Sequence, residues 1–358
     1  MARYLVSEYK KDPSEDMIIY ELGAGNGTLM KGILDYLSAE EPDIYARTSY
    51  KIIEISPRLA ALQKTRAGEH ASKVQVIQSD IFDWTTTESK PCFFLAFEVL
   101  DNLAHDVIRF TRDAEEPKAL QCNISVASTG EFNEQYTLIS DPLISSLLAL
   151  LPPLVPTYPP IIRKFLASLP FAPNLTPPIY LPTKLLLLLQ ILRRHFPRHR
   201  VLFSDFSELP DAIEGRNAPV VQTRYKGQTV PCTTYMVSQG YFDIFFPTDF
   251  GMLKRLYEVV MNEDIGSSKV TEVEGKKASS HRQLEGEDGK DGKVETPERI
   301  VTREAVKMSK RKMEYQSHAD FLSQWGETDK TKLKNGENPM LEYFENQSFA
   351  FSSPSCQD

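Results

Sequence analysis

Met17-Ile18-Ile19-Tyr20-Glu21-Leu22-Gly23-Ala24-Gly25-Asn26-Gly27 begins as an apolar run and breaks into three glycines set two positions apart. Directly after it, Thr28 to Leu37 places Leu29, Ile33, Leu34 and Leu37 at helical spacing. This reads as strand, glycine turn and helix, the opening of an α/β fold. A second unit follows. Tyr50 to Ile55 reads as a strand, and Ser56-Pro57 as a helix start with an N-cap and a first-turn proline, running on through Leu59, Leu62 and Gln63. Val74 to Ile77 reads as a third strand ending at Ser79-Asp80, and Cys92 to Phe97 as a fourth ending at Glu98. Four strands with helices between them predict a parallel sheet covered on both faces.

Beyond these units the composition changes. Eleven of the 24 prolines fall between Asp141 and Pro182, where no steady period survives. The expectation is a proline-stiffened insertion carrying short helices, rather than a strand or a long helix, with a substrate-side lid as the alternative. Lys184 to Phe196 then reads as a helix and His199 to Phe206 as a fifth strand. Val230 to Val237 and Tyr241 to Pro247 suit strands at the far edge of the sheet, and Asp249 to Val260 a helix. From Glu263 to Arg299 polar and charged residues dominate, a composition that predicts disorder. Ile300 to Leu322 is expected to be helical, carrying Ala305, Met308, Met313 and Phe321 ahead of a polar tail. The resulting division is a cofactor-binding half at 1–140, the insertion at 141–183, the rest of the sheet at 184–262, a disordered linker at 263–299 and a C-terminal helix and tail at 300–358.

Composition narrows the function classes. Of 358 residues 41% are hydrophobic, enough for a sizeable core, and Lys+Arg 41 against Asp+Glu 49 leaves a formal charge of −8. That balance disfavours a nucleic-acid partner, because such binding rests on basic surface. Cys92, Cys122, Cys232 and Cys356 lie far apart without a CxxC pair, so neither a metal site nor a secreted disulfide framework is expected, and a reducing compartment fits best. The longest apolar run, Leu185 to Leu192, stops at Arg193, whereas a bilayer span needs roughly 20 residues. No membrane span is expected. From the mixed charges of residues 1–10, followed closely by a strand, no signal or transit peptide is expected within these residues.

The glycine turn has the form E-x-G-x-G-x-G rather than the G-x-G-x-x-G that seats a pyrophosphate. A ligand without phosphate at that turn is therefore expected, and S-adenosylmethionine fits the acids that follow. Gly23, Ala24, Gly25, Asn26 and Gly27 would receive its amino-acid end at a helix N-terminus, with Glu21 beneath the turn facing the cationic methionine end. Glu54, closing strand two, could accept from both ribose hydroxyls, and Asp80, closing strand three, from the adenine amine. Ile55 and Ile81 complete the set of expected cofactor-binding residues. Open α/β sheets bind ligands at these strand ends. After strand four, Glu98 and Asp101 form a carboxylate pair that matches the planar donor fork of a guanidinium, suggesting an arginine substrate. Asn102 and His105 add neutral donors and acceptors at the same edge. For Glu98 or Asp101 the competing reading is simply a cap on the following helix.

Three elements together carry a resemblance: Tyr20 to Met30 with the glycine turn and Thr28-Leu29 after it, Ile53 to Gln63 as E-x-S-x-x-L-x-x-x-Q, and Leu95 to Leu103 as E-x-x-D-x-L. They resemble the MidA-like protein arginine methyltransferases, the mitochondrial complex I assembly-factor family. Weaker matches continue at Ser204-Asp205-Phe206, Thr233 to Leu253 and Gln316 to Leu322. The resemblance implies a class I methyltransferase fold, Rossmann-like with a mostly parallel seven-stranded sheet. It also implies S-adenosylmethionine-dependent symmetric dimethylation of an arginine on a respiratory complex I subunit, supporting assembly of that complex in mitochondria. Glu98 and Asp101 would then orient the guanidinium. Two rivals stand beside it: a non-catalytic assembly scaffold on the same fold, and a small-molecule methyltransferase. The oligomeric state stays open.

Overall fold

The computed structural model describes residues 1–112, 117–154, 174–263 and 310–353. Five strands pair in parallel: β1 (Met17–Leu22), β2 (Thr48–Glu54), β3 (Val74–Gln78), β4 (Cys92–Phe97) and β9 (His199–Phe206). Two C-terminal strands, β13 (Lys312–Ser317) and β14 (Gln347–Ser353), complete a seven-stranded sheet in the order β13-β14-β9-β4-β1-β2-β3. Only β14 runs against its neighbours. Every residue of β1 is buried, because packing on both faces demands a nearly continuous apolar run. Its side chains alternate between two cores. Ile18, Tyr20 and Leu22 pack with Phe94, Ala96 and Phe203 beneath helices Thr183–His195 and Phe250–Asn262. Met17 and Ile19 pack with Phe93, Leu95 and Leu202 beneath helices Ala2–Tyr9, Thr28–Glu40 and His318–Trp325.

Two antiparallel sheets flank this frame. β5 (Asp106–Phe110), β6 (Ala119–Val126), β7 (Phe132–Leu138) and β8 (Ile179–Leu181) form one, in the order β7-β6-β5-β8. β10 (Val220–Tyr225), β11 (Gln228–Cys232) and β12 (Asp243–Phe245) form the other. Among the described residues no helix is long and apolar enough to cross a membrane.

Several expectations are corrected. The runs beginning at Val230 and Tyr241 do not reach the main sheet: they supply β11 and β12, and the Lys226-Gly227 turn, with both φ positive, folds β11 back onto β10. The far edge is taken instead by β13 and β14. Lys312 to Ser317 is a strand, and the helix starts only at His318, where Ser317 accepts a hydrogen bond from the Asp320 amide at 3.1 Å. Met313 is buried on that strand, while residues 300–309 lie outside the described set. The expected polar tail includes β14, lodged between β13 and β9. The crossover from β3 to β4 is a single 3₁₀ turn, Ile81–Asp83, not a helix. The face a helix would cover there is occupied by Thr183–His195, whose Lys184 lies 4.7 Å from the centre of the Phe82 ring. The proline-rich insertion does hold a short helix, Pro142–Leu150, capped by Asp141, but also strand β8. Its part at 155–173 and the expected disorder beyond Glu263 lie outside the described residues.

Candidate active site

Three strand ends and one turn converge where β1 and β4 lie side by side while their connections leave in opposite directions, the switch point at which such sheets leave a crevice. The turn has Gly23, Gly25 and Gly27 all at positive φ, +63°, +52° and +74°. A side chain at Gly23 would meet Val99 at 3.1 Å, whereas a Cβ at Gly25 would meet nothing within 4 Å. The turn is closed by the Gly27 amide donating to the Ala24 carbonyl at 2.8 Å, and Gly27 then starts helix Thr28–Glu40. Asn26 is exposed and Ala24 half-buried beside it.

Glu54, 4% exposed, is tied to this turn. Its Oε1 accepts from the Ser56 amide at 2.9 Å and its Oε2 from Gln63 Nε2 at 2.8 Å. The same Gln63 nitrogen donates to the Gly25 carbonyl at 2.9 Å. One fully buried amide therefore locks the acid that ends β2 to the glycine turn after β1. Each Glu54 oxygen keeps a lone pair for a further donor. Ile55, just past the strand, is 68% exposed, an apolar lip beside Glu54. Asp80 is exposed and its Oδ1 accepts from the Phe82 amide at 2.9 Å, capping the 3₁₀ turn that buries Ile81.

Glu21 is buried on β1 and accepts from the Tyr50 hydroxyl at 2.8 Å. Burial pushes its carboxyl up to about 7, opposed only by that hydrogen bond. A buried acid with no cation beside it favours the neutral form unless a positive group arrives. Because its folded value lies above the ordinary 4.5, the folded chain binds that proton more tightly than the unfolded one. Stability is therefore lost as pH rises through about 7. Glu21→Gln should stabilise the ligand-free protein at pH 8 by roughly 3 kcal/mol, read as a higher melting temperature, and leave stability unchanged at pH 4. A difference of the same size at both pH values would show that no charge is carried there.

After β4 the chain turns sharply. Glu98 holds φ +52°, and Leu100–Asn102 forms a 3₁₀ turn. Asp101 is buried, its Oδ1 accepting from Asn102 Nδ2 at 2.6 Å. Burial and then the neighbouring Glu98 charge push Asp101 up to about 6. Asp205, fully buried at the end of β9, holds this turn from below: its Oδ2 accepts from the amides of Leu100 at 2.8 Å and Asp101 at 3.2 Å. Asp205 is pushed up to about 7 by burial and by Asp101. His105 is not free at the edge. Its ring stacks on Phe246 at 3.9 Å and its Nδ1 donates to the Leu103 carbonyl at 2.8 Å, while burial lowers it to about 4. It is a neutral packing group whose Nε2 is left as an acceptor.

The structure therefore joins the glycine turn and Glu54 through Gln63, holds Glu21 separately on the Tyr50 hydroxyl, sets Glu98, Asp101 and Asn102 on the adjacent turn, and stacks His105 on Phe246. The sequence reading gave no role to Gln63, Tyr50, Asp205 or Gln347. Gln63 stood at the end of E-x-S-x-x-L-x-x-x-Q, and Asp205 was the lone acid in an apolar strand; Gln347 carried no signal. Among the described residues one trio of metal-type side chains meets, Asp35, Glu69 and His70, but Lys31 pairs with both acids and Tyr45 with the histidine.

A family model described as "Putative S-adenosyl-L-methionine-dependent methyltransferase" matches residues 1–265. A curated relative from Schizosaccharomyces pombe, "Protein arginine methyltransferase NDUFAF7 homolog, mitochondrial", is 28% identical over 242 residues, 62% of this chain and 50% of the relative. The chain thus spans about half of that relative's length. A Burkholderia thailandensis crystal structure bound to S-adenosyl-homocysteine, described as a "likely methyl transferase", superposes with a TM-score of 0.56 at 14% identity, covering 99% of this chain and 76% of that one. A second structure from that organism gives 0.55 at 14% identity, with 99% and 78% covered. At that identity the likeness is one of fold. The open glycine cradle, the clamped Glu54 and the buried Glu21 suit a cationic, phosphate-free nucleoside ligand. The match over residues 1–265 establishes that this chain belongs to the S-adenosyl-L-methionine-dependent methyltransferase family, with S-adenosyl-L-methionine as its cofactor.

Proposed function

We propose that the chain transfers methyl groups to a protein arginine. The observation that carries this reading is the turn after β4, where Asp101 is raised to about 6 by burial and by Glu98. Two mutually repelling carboxylates beside a cofactor cleft favour a cation between them, and a guanidinium matches their planar acceptors. S-adenosyl-L-methionine, when bound, supplies an already activated methyl group on its sulfonium. Gly23, Ala24, Gly25, Asn26 and Gly27 would hold its amino-acid end, Glu21 its positive charge, Glu54 with Ile55 its ribose, and Asp80 with Ile81 its adenine. Glu98 and Asp101 would orient the guanidinium and counter positive charge during transfer, so that positioning and desolvation carry most of the rate. Asn102 would fix Asp101, and His105 would brace the turn by packing.

The finer reading is symmetric dimethylation of an arginine on a respiratory complex I subunit, in mitochondria, in support of that complex's assembly. It rests on the sequence resemblance and on the name of the S. pombe relative. The test is incubation of the chain with labelled S-adenosyl-L-methionine and isolated complex I subunits, followed by mass spectrometry of the labelled residue. Symmetric dimethylarginine is the expected product. Cofactor binding without transfer would favour a scaffold, and turnover with small molecules alone would replace the protein substrate.

A further inference from the structure

Gln347 opens β14, in a part of the chain beyond the residues 1–265 that the family model matches. Its place is set by several neighbours at once. It pairs with Phe206 across β9, the Ser207 amide donates to the Asn346 carbonyl at 2.7 Å, and Asn346 Nδ2 donates to the Glu208 carbonyl at 3.0 Å. The Gln347 side chain, in a residue only 7% exposed, donates from Nε2 to Glu98 Oε1 at 3.1 Å. Among the described residues this is the one hydrogen bond to the Glu98 carboxylate. Glu98 itself is exposed and sits at φ +52°, with its amide donating to the Ser204 carbonyl at 2.9 Å.

From these contacts we infer that Gln347 is a positioning residue, holding the Glu98 carboxylate so that its other oxygen faces the guanidinium of the substrate arginine. The inference rests on the arginine reading above. An exposed glutamate left free samples several rotamers, and fixing one costs affinity when the ligand arrives. A neutral amide removes that freedom without cancelling the charge. A lysine or arginine at the same place would hold Glu98 equally well but would neutralise the group that a cationic substrate needs. The choice of donor therefore bears on selectivity for positive side chains as well as on geometry. The C-terminal segment thereby becomes part of the site: it closes the sheet and supplies the residue that aims one of the two acids.

The test uses the full chain with S-adenosyl-homocysteine bound and acetyl-Gly-Arg-Gly-amide as probe, followed by NMR titration. Gln347→Leu should weaken peptide binding roughly tenfold, and Gln347→Lys, which keeps a donor but cancels the charge, should weaken it further. Both should keep wild-type affinity for S-adenosyl-homocysteine, and in transfer assays the peptide KM should rise while the cofactor KM stays put. A merely structural role would lower the melting temperature and both affinities together, or would tolerate lysine, and either result overturns the inference. If wild type binds the peptide and both variants bind it equally, Gln347 has no such role while the arginine reading survives. If wild type binds S-adenosyl-homocysteine but not the peptide, the arginine reading falls and takes this role with it.

Discussion

Gly25→Arg is expected to abolish S-adenosyl-L-methionine binding, with an affinity loss of at least about 100-fold, while leaving the chain folded. A Cβ at this position would meet no protein atom within 4 Å, so the new side chain would leave the backbone into open space. It would enter the open side of the turn, where the cofactor's amino-acid end is proposed to lie. The left-handed φ of +52° adds backbone strain of about 1–2 kcal/mol for a non-glycine residue. Gly25→Ala separates the two causes, since it carries the strain but little bulk, and should lose far less affinity. Isothermal titration of both variants, with melting curves to show that they fold, decides the matter. Equal affinity in Gly25→Arg and wild type would remove the glycine turn from the cofactor site.

Asp101→Asn should leave cofactor affinity intact and lower kcat/KM for the arginine substrate by about 10² to 10³-fold, the usual cost of removing one member of a buried charged pair. The amide is nearly isosteric, and its oxygen can still accept from Asn102, so the turn keeps its shape. What goes is the charge. Asp101 must be ionised to hold a guanidinium, and since it is raised to about 6, transfer by wild type should rise as pH passes through that value. Asp205, raised to about 7, titrates over the same range, so the acid limb belongs to the pair. In the asparagine variant the limb should shift and shrink along with the rate. Transfer at the wild-type rate, or an identical pH profile, would show that Asp101 does not face the guanidinium.

The parallel core of the sheet was legible because its determinants are local. β1 and β4 announce themselves as apolar runs, and the Ser56 cap and Pro57 mark a helix start that the structure reproduces. The candidate site was legible for the same reason, since strand-end acids follow each strand at once in the chain. The outer strands were not. Val230 to Val237 has the apolar content of a sheet strand, yet β11 is largely exposed and pairs locally through the Lys226-Gly227 turn. Lys312 to Ser317 and Gln347 to Ser353 are short and mixed in polarity, and nothing within them says that they pair with each other and with β9.

The amino-acid sequence by itself determined the α/β class, the order of the central units, the glycine turn and the acids that follow each strand, because period, turn chemistry and strand-end position are properties of neighbouring residues. Only the tertiary structure decided which of those groups touch. Gln63 reaches back to tie Glu54 to Gly25, Asp205 takes two amides from a turn more than 100 positions earlier, and Gln347 crosses 249 positions to Glu98. Hydrogen bonds of that range depend on how strands stack side by side, and strand order arises from the packing of whole faces against one another rather than from any residue's near neighbours.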